Sequence, residues 1–178
     1  HYVKEIHVIA VQNEVKEILW LLEHNFASEP IIKTVNLKTN STESFDFVLN
    51  EEKITSSEFK LPQSYLYEPN SAILKAGAFK TIGNAFELYK LHEHSHLYTS
   101  AVPVEFPGRR FQIEEIIAYN KSDIKKLKLD KANITTRNFP ETVSSIRKKF
   151  NIKDGGEIYL FFTTNMENKR IALVCKKA

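Results

Sequence analysis

At 178 residues the chain has room for one ordinary domain or two small ones, and either can bury a real core. Hydrophobic residues make up 42% and charged residues 26%, which excludes a disordered chain. No apolar run reaches the ~18 residues of a membrane span, and no signal-peptide pattern opens the sequence. A single cysteine, Cys175, rules out an internal disulfide framework and a cysteine-built zinc site, so a cytoplasmic protein is expected.

The net charge of +3 hides an asymmetry. Residues 1–60 hold six Lys against ten acidic residues, and the remainder is net +7. A change of sign between halves suggests two units, the second facing something anionic; charge alone does not identify nucleic acid. The first residue is His1 rather than Met, and strand-like sequence begins within a few positions. Both features suggest a piece of a longer chain.

Residues 4–12 (KEIHVIAVQ) carry apolar side chains on both alternating faces, the pattern of a strand covered on both sides. Asn13 then reads as the cap of a helix in which Val15, Ile18, Leu19 and Leu22 recur at helical spacing. Two strands are predicted over 31–38 and 44–50, across the turn-rich Thr39-Asn40-Ser41-Thr42. The order β-α-β-β is that of a small ferredoxin-like domain over residues 1–60, followed by a polar, linker-like stretch at 51–63.

Residues 65–70 form a short extended piece, and Asn70 or Ser71 caps the next helix. Its apolar pattern runs from Ile73 to Leu88, with a break or close packing predicted at Gly77 and Gly83. Strands are predicted at 97–99 and 110–119, a helix at 122–129, a strand at 132–137 and a helix at 141–150 opened by Pro140. A hairpin of strands 157–164 and 170–176 closes the chain, with 158–162 apolar on both faces and therefore placed centrally in its sheet. The fold class is α+β, with a second, mixed α/β domain at 61–178 ending in a β-hairpin.

Five glycines, at 77, 83, 108, 155 and 156, form no strand-to-helix turn of the kind that cradles a nucleotide or S-adenosylmethionine. No nucleophile elbow is present, and Cys175 falls near the end of a core strand. No catalytic residue is assigned. On a strand, His92, His94 and His96 would share one face as a conceivable metal site. Their position after a helix end favours a structural or capping role instead, so no metal is assigned. The candidate anion contacts are Arg109 and Arg110 beside a turn, Arg137 and Asn138 where a strand gives way to a helix, and Arg147 and Lys148 in a helix's last turn. For Arg109, Arg110 and Arg137 structural pairing competes equally with phosphate contact, and for Arg147, Lys148 and Lys149 plain matching of the helix dipole is the favoured reading.

The runs YLYEPNSAILKAGA at 65–78, Leu91-His92, SHLYTS at 95–100, FPGR at 106–109 and NITTRNFP at 133–140 closely resemble a bacterial family. Its members place a small ferredoxin-like domain and a THUMP-like region after a class I S-adenosylmethionine-dependent methyltransferase domain. The resemblance covers essentially the whole chain. It implies a catalytic, cofactor-binding domain N-terminal to His1, no cofactor in this region, and an RNA partner such as a tRNA or an rRNA. Two function classes follow: an RNA-docking module, or a protein–protein or intramolecular scaffold that touches no nucleic acid. The first needs a contiguous basic face and the second an exposed apolar patch.

Overall fold

The computed structural model describes residues 2–178. They fall into two compact units interleaved along the chain. One gathers the chain up to Ser57 with Glu68–Leu88 and Glu105–Arg109; the other gathers Glu58–Tyr67, Tyr89–Val104 and Arg110–Ala178. A single boundary at residue 60 therefore does not divide the molecule. Short excursions of the chain, not one linker, connect the units.

The first unit is built on a four-stranded sheet in the order β2-β1-β3-β4, from β1 (Val3–Val11), β2 (Glu14–Leu22), β3 (Ile31–Leu37) and β4 (Thr42–Val48). The expected helix at 14–22 is thus a strand, and the β-α-β-β reading of residues 1–60 is corrected to four strands. The cause is turn chemistry. Gln12 and Asn13 both take positive φ, 51° and 64°, the geometry of a tight two-residue hairpin, and Val11 pairs with Glu14 across it. In a run as apolar as Ile18-Leu19-Trp20-Leu21-Leu22, helical spacing is satisfied by any register and decides nothing. β1 and β3 run parallel, while the two outer pairings are antiparallel.

The short helix α1 (Leu49–Ile54) lies where a linker was expected, and β5 (Tyr65–Pro69) follows. Asn70 caps α2 (Ser71–Ala76) by accepting from the Ile73 N–H at 3.1 Å. The predicted break occurs at Gly77, whose φ of 85° closes α2 in the left-handed region that glycine adopts without penalty. Gly83, by contrast, lies inside α3 (Thr81–Ala85). The Glu52 carboxylate accepts from the N–H groups of Phe79, Lys80 and Thr81 and from the Thr81 hydroxyl, at 2.8–3.1 Å, and so satisfies the orphan donors at the start of α3. Ala72 of α2 packs on Val8 and Ala10 of the sheet, with Val15 and Ala76 alongside.

The second unit carries a seven-stranded sheet in the order β6-β7-β5-β8-β11-β10-β9. Its further strands are β6 (Tyr89–Lys90), β7 (Tyr98–Ser100), β8 (Gly108–Ala118), β9 (Asn133–Arg137), β10 (Tyr159–Thr164) and β11 (Arg170–Lys177). β11 is the more central strand and β10 lies one in from the β9 edge, a small shift from the expected placement. α4 (Lys121–Lys126) and α5 (Val143–Phe150) cover one face, where Ile124 and Ile146 pack on Leu160, Phe162, Ala172 and Val174. The segment around Leu91 and Leu97 covers the other, against Phe161, Leu173 and Cys175. Alternate residues of β10 and β11 thus enter two different cores, which is why both strands read as unbroken apolar runs. α5 is capped by Thr142, two residues beyond Pro140, which accepts from the Ser145 N–H at 3.2 Å.

Gly108 is required by close packing. A Cβ there would stand 2.2 Å from the Glu68 carbonyl oxygen.

Candidate nucleic-acid interface

The six predicted contact residues do not form one site. Arg109 is committed to the interior of the first unit: its Nε donates to Glu68 Oε2 at 2.8 Å and its Nη2 reaches the same oxygen. Glu68 is 3% exposed, so the guanidinium neutralises a buried carboxylate, while the Arg109 side chain itself stays partly exposed. Arg110, the next residue along β8, points to the opposite face of the strand and donates from Nη1 to the Val104 carbonyl at 3.3 Å. Arg137 ends β9 with its Nη1 3.4 Å from the Thr136 carbonyl.

Arg147 is also structural. Its guanidinium donates to the Ala132 carbonyl at 3.1 Å and the Ile152 carbonyl at 3.3 Å, and it pairs with Asp154. It ties the end of α5 to the start of β9. Its neighbour Lys149 bonds the Glu141 carboxylate at 2.9 Å and the Tyr119 hydroxyl at 3.0 Å. That hydroxyl donates to Glu141 at 2.6 Å. Burial, and then Glu141, pushes the Tyr119 hydroxyl up; the Tyr119 bond, and then Lys149, holds Glu141 below the usual carboxylate range. Of the trio in that last turn, Lys148 alone is exposed without a carboxylate partner among the described residues.

The histidines lie on a turn that follows β6, not on a strand and not after a helix end; the His92 and His94 rings are 5.6 Å apart between centroids, tilted by 54°. His92 joins three loops instead. Its Nδ1 faces the Asn138 side-chain amide at 3.0 Å and the His94 N–H at 3.1 Å, and its Nε2 meets Asn168 Oδ1 at 3.1 Å. Two donors on Nδ1 make it the acceptor and leave the proton on Nε2. Asn138, at φ 48°, is fixed further by the Thr164 hydroxyl, which donates to its carbonyl at 2.8 Å. Among the described residues no three His, Cys, Asp or Glu side chains are placed to hold a metal ion. Cys175 is fully buried, and burial pushes its thiol up to about 12, which leaves almost no thiolate near neutral pH.

The structure brings together a different set of cations. Lys125 and Lys128, at the end of α4, line a cleft of about 210 Å³ with Leu129, Phe150 and Asn151. Lys131 and Lys153 meet beside it in a parallel backbone bridge, with Ala132 N–H donating to the Lys153 carbonyl at 3.0 Å. With Lys148 these make five exposed lysines, and among the described residues none is paired with a carboxylate. Nearby charges are neutralised in pairs (Lys126 with Asp123, Arg147 with Asp154), and Asp130 is the acid that also lines the cleft. The dense KSDIKKLKLDK stretch was the signal in the sequence, overlooked because a lysine-rich helix face is usually only solvated.

The five glycines lie at places other than the strand-to-helix turn that cradles S-adenosylmethionine. Gly77 ends a helix, Gly83 lies within one, Gly108 starts a strand against buried backbone, and Gly155 and Gly156 form a turn before β10. None stands between a strand's end and a helix's start, where the backbone would receive the cofactor.

Residues 65–107 match the family model of a ferredoxin-like domain, and residues 108–177 match that of a THUMP domain-like region. The ferredoxin-like match thus lies beyond residues 1–60, where that domain was expected. No curated protein matches the chain. Among solved structures, the chain is similar to a putative methyltransferase from Porphyromonas gingivalis W83, at 40% identity and a TM-score of 0.94 over 99% of this chain. The match spans 46% of that protein, so this chain corresponds to under half of its length. No helix is long and apolar enough to cross a membrane. By matched models and architecture together, the chain carries a ferredoxin-like domain and a THUMP-like domain in a mixed α/β fold.

Proposed function

We propose that the protein is the non-catalytic, RNA-docking part of a cytoplasmic, class I S-adenosylmethionine-dependent methyltransferase. Cofactor and chemistry belong to a separate domain. One observation carries the reading: on the segment that matches the THUMP-like model, Lys125 and Lys128 line one cleft, Lys131 and Lys153 bridge each other next to its lining residues, and Lys148 lies on α5, whose end also lines it, all five without a carboxylate partner among the described residues. Unpaired ammonium groups on flexible stems suit phosphate oxygens, and they release counterions on binding whatever the base sequence. The similarity to a methyltransferase more than twice as long supports placing the catalysis elsewhere. The rival reading, a scaffold that meets protein alone, is favoured by the exposed apolar strand β2.

A salt titration of affinity for a structured RNA tests the proposal. Engagement of three to five phosphates gives a log–log slope of about −2 to −4. Replacing the five lysines by Ala flattens the slope and weakens binding to all RNAs alike. Replacing Arg110 and Arg137 has less effect. An affinity insensitive to salt, or a five-lysine variant that binds like the parent, overturns the reading.

A further inference from the structure

The outer strand of the first unit's sheet breaks the rule by which soluble proteins guard their sheet edges. β2 pairs only with β1, so its other edge offers a row of free N–H and C=O groups. Such edges normally carry charge, proline or a bulge. Residues 18–22 carry no charge and no proline, and the irregularity opposite Leu21 and Leu22 has its extra residue, Lys4, on β1: Ile18 is 42% exposed, Leu19 47%, Trp20 59%, Leu21 47% and Leu22 63%. Alternation puts Ile18, Trp20 and Leu22 on the face shared with Val8, where α2 covers only the far end of the strand, and Leu19 and Leu21 on the other. Tyr2, 56% exposed, extends the strip, and a cleft of about 390 Å³ lined by Tyr2, Val3 and residues 27–30 adjoins it. Together these side chains offer an area on the order of the ~800 Å² per partner of a specific interface.

We propose that β2 is a docking edge for a methyltransferase domain, which adds a strand to the sheet and buries the strip on both faces. This inference rests on the reading that the chain serves such an enzyme. Two observations select that occupant. The similar P. gingivalis protein joins this pair of domains to more than its own length of further polypeptide. The start of β1 lies on the strip: Val3 pairs with Leu22, and the Tyr2 carbonyl accepts from the Glu23 N–H at 2.7 Å. Polypeptide joined ahead of β1 therefore leaves it beside β2, where a tether holds a domain at high effective concentration. Strand addition supplies backbone bonds, and the alternating apolar residues supply specificity.

The test is photo-cross-linking in the native host, with p-benzoylphenylalanine in place of Trp20 in the protein expressed from its own gene, and peptides identified by mass spectrometry. Cross-links to peptides of a methyltransferase domain, in the same or a separate polypeptide, support the proposal, provided that they fall at least tenfold when Ile18→Lys and Leu22→Lys are added. Cross-links joining β2 to β2 of a second copy overturn it, as do cross-links to RNA, or a yield no higher than from the same probe at exposed Glu14. The Ile18→Lys, Leu22→Lys variant also separates the two readings. Its RNA affinity and salt slope stay unchanged if both hold, whereas a normal cross-link in the protein without these two substitutions, together with salt-insensitive RNA binding, sinks the RNA reading alone.

Discussion

The two sheets of this protein are finished to different degrees. In the second unit, Leu160–Phe162 and Ile171–Cys175 are buried throughout, because α4 and α5 close one face and the 91–97 segment closes the other. In the first, α2 shields only the Val8–Ala10 end of the sheet, and β2 is exposed along nearly its whole length although it is just as apolar. Hydrophobicity is therefore matched to burial in one region and exceeds it in the other. A sheet completed within its own unit needs no further protein. The sheet with surplus apolar edge is the one on which the proposed docking falls.

The contrast can be broken by substitution. Phe162→Ala removes a fully buried ring from the core under α5 and is expected to cost about 3–5 kcal/mol by chemical denaturation. A loss below about 1 kcal/mol would mean the second sheet is not the tightly packed one. Glu68→Ala strips Arg109 of its buried partner, with an expected loss on the order of 2–3 kcal/mol. Because that guanidinium is engaged within its own unit, the same variant leaves the salt slope for RNA unchanged; a steeper slope would return the freed Arg109 to the interface. Glu52→Ala frees the donors at the start of α3 and is expected to cost about 1–2 kcal/mol, read most sensitively as faster amide exchange at Phe79–Thr81. Trp20→Ser closes the series with a shift within about 0.5 kcal/mol, since the ring is mostly exposed in the isolated chain. A large loss there would show that β2 is already covered.

The second unit was the more legible in sequence for the same reason. Where a strand is buried on both faces, its apolar run, its flanking turns and the caps of its helices all agree, as at residues 158–162. β2 misled because Ile18–Leu22 is apolar without period, and the deciding information lay in the positive φ of Gln12 and Asn13, residues that read equally well as a helix cap. For the arginines the missing information was the partner. Sequence placed Arg109 beside a turn but could not show that Glu68, far along the chain, lies beneath it. The lysine rim depends on two backbone neighbours, Lys131 and Lys153, that only the β9 side of the sheet brings together.

The division of labour between the units is tested most directly by hydrogen–deuterium exchange of the chain with and without a structured RNA. The account predicts RNA-dependent protection in peptides spanning residues 121–131 and 146–154, around the lysine rim, with no change across residues 14–22. Protection confined to the loops around His92 and Asn138, or protection of β2 with none at the rim, would contradict it.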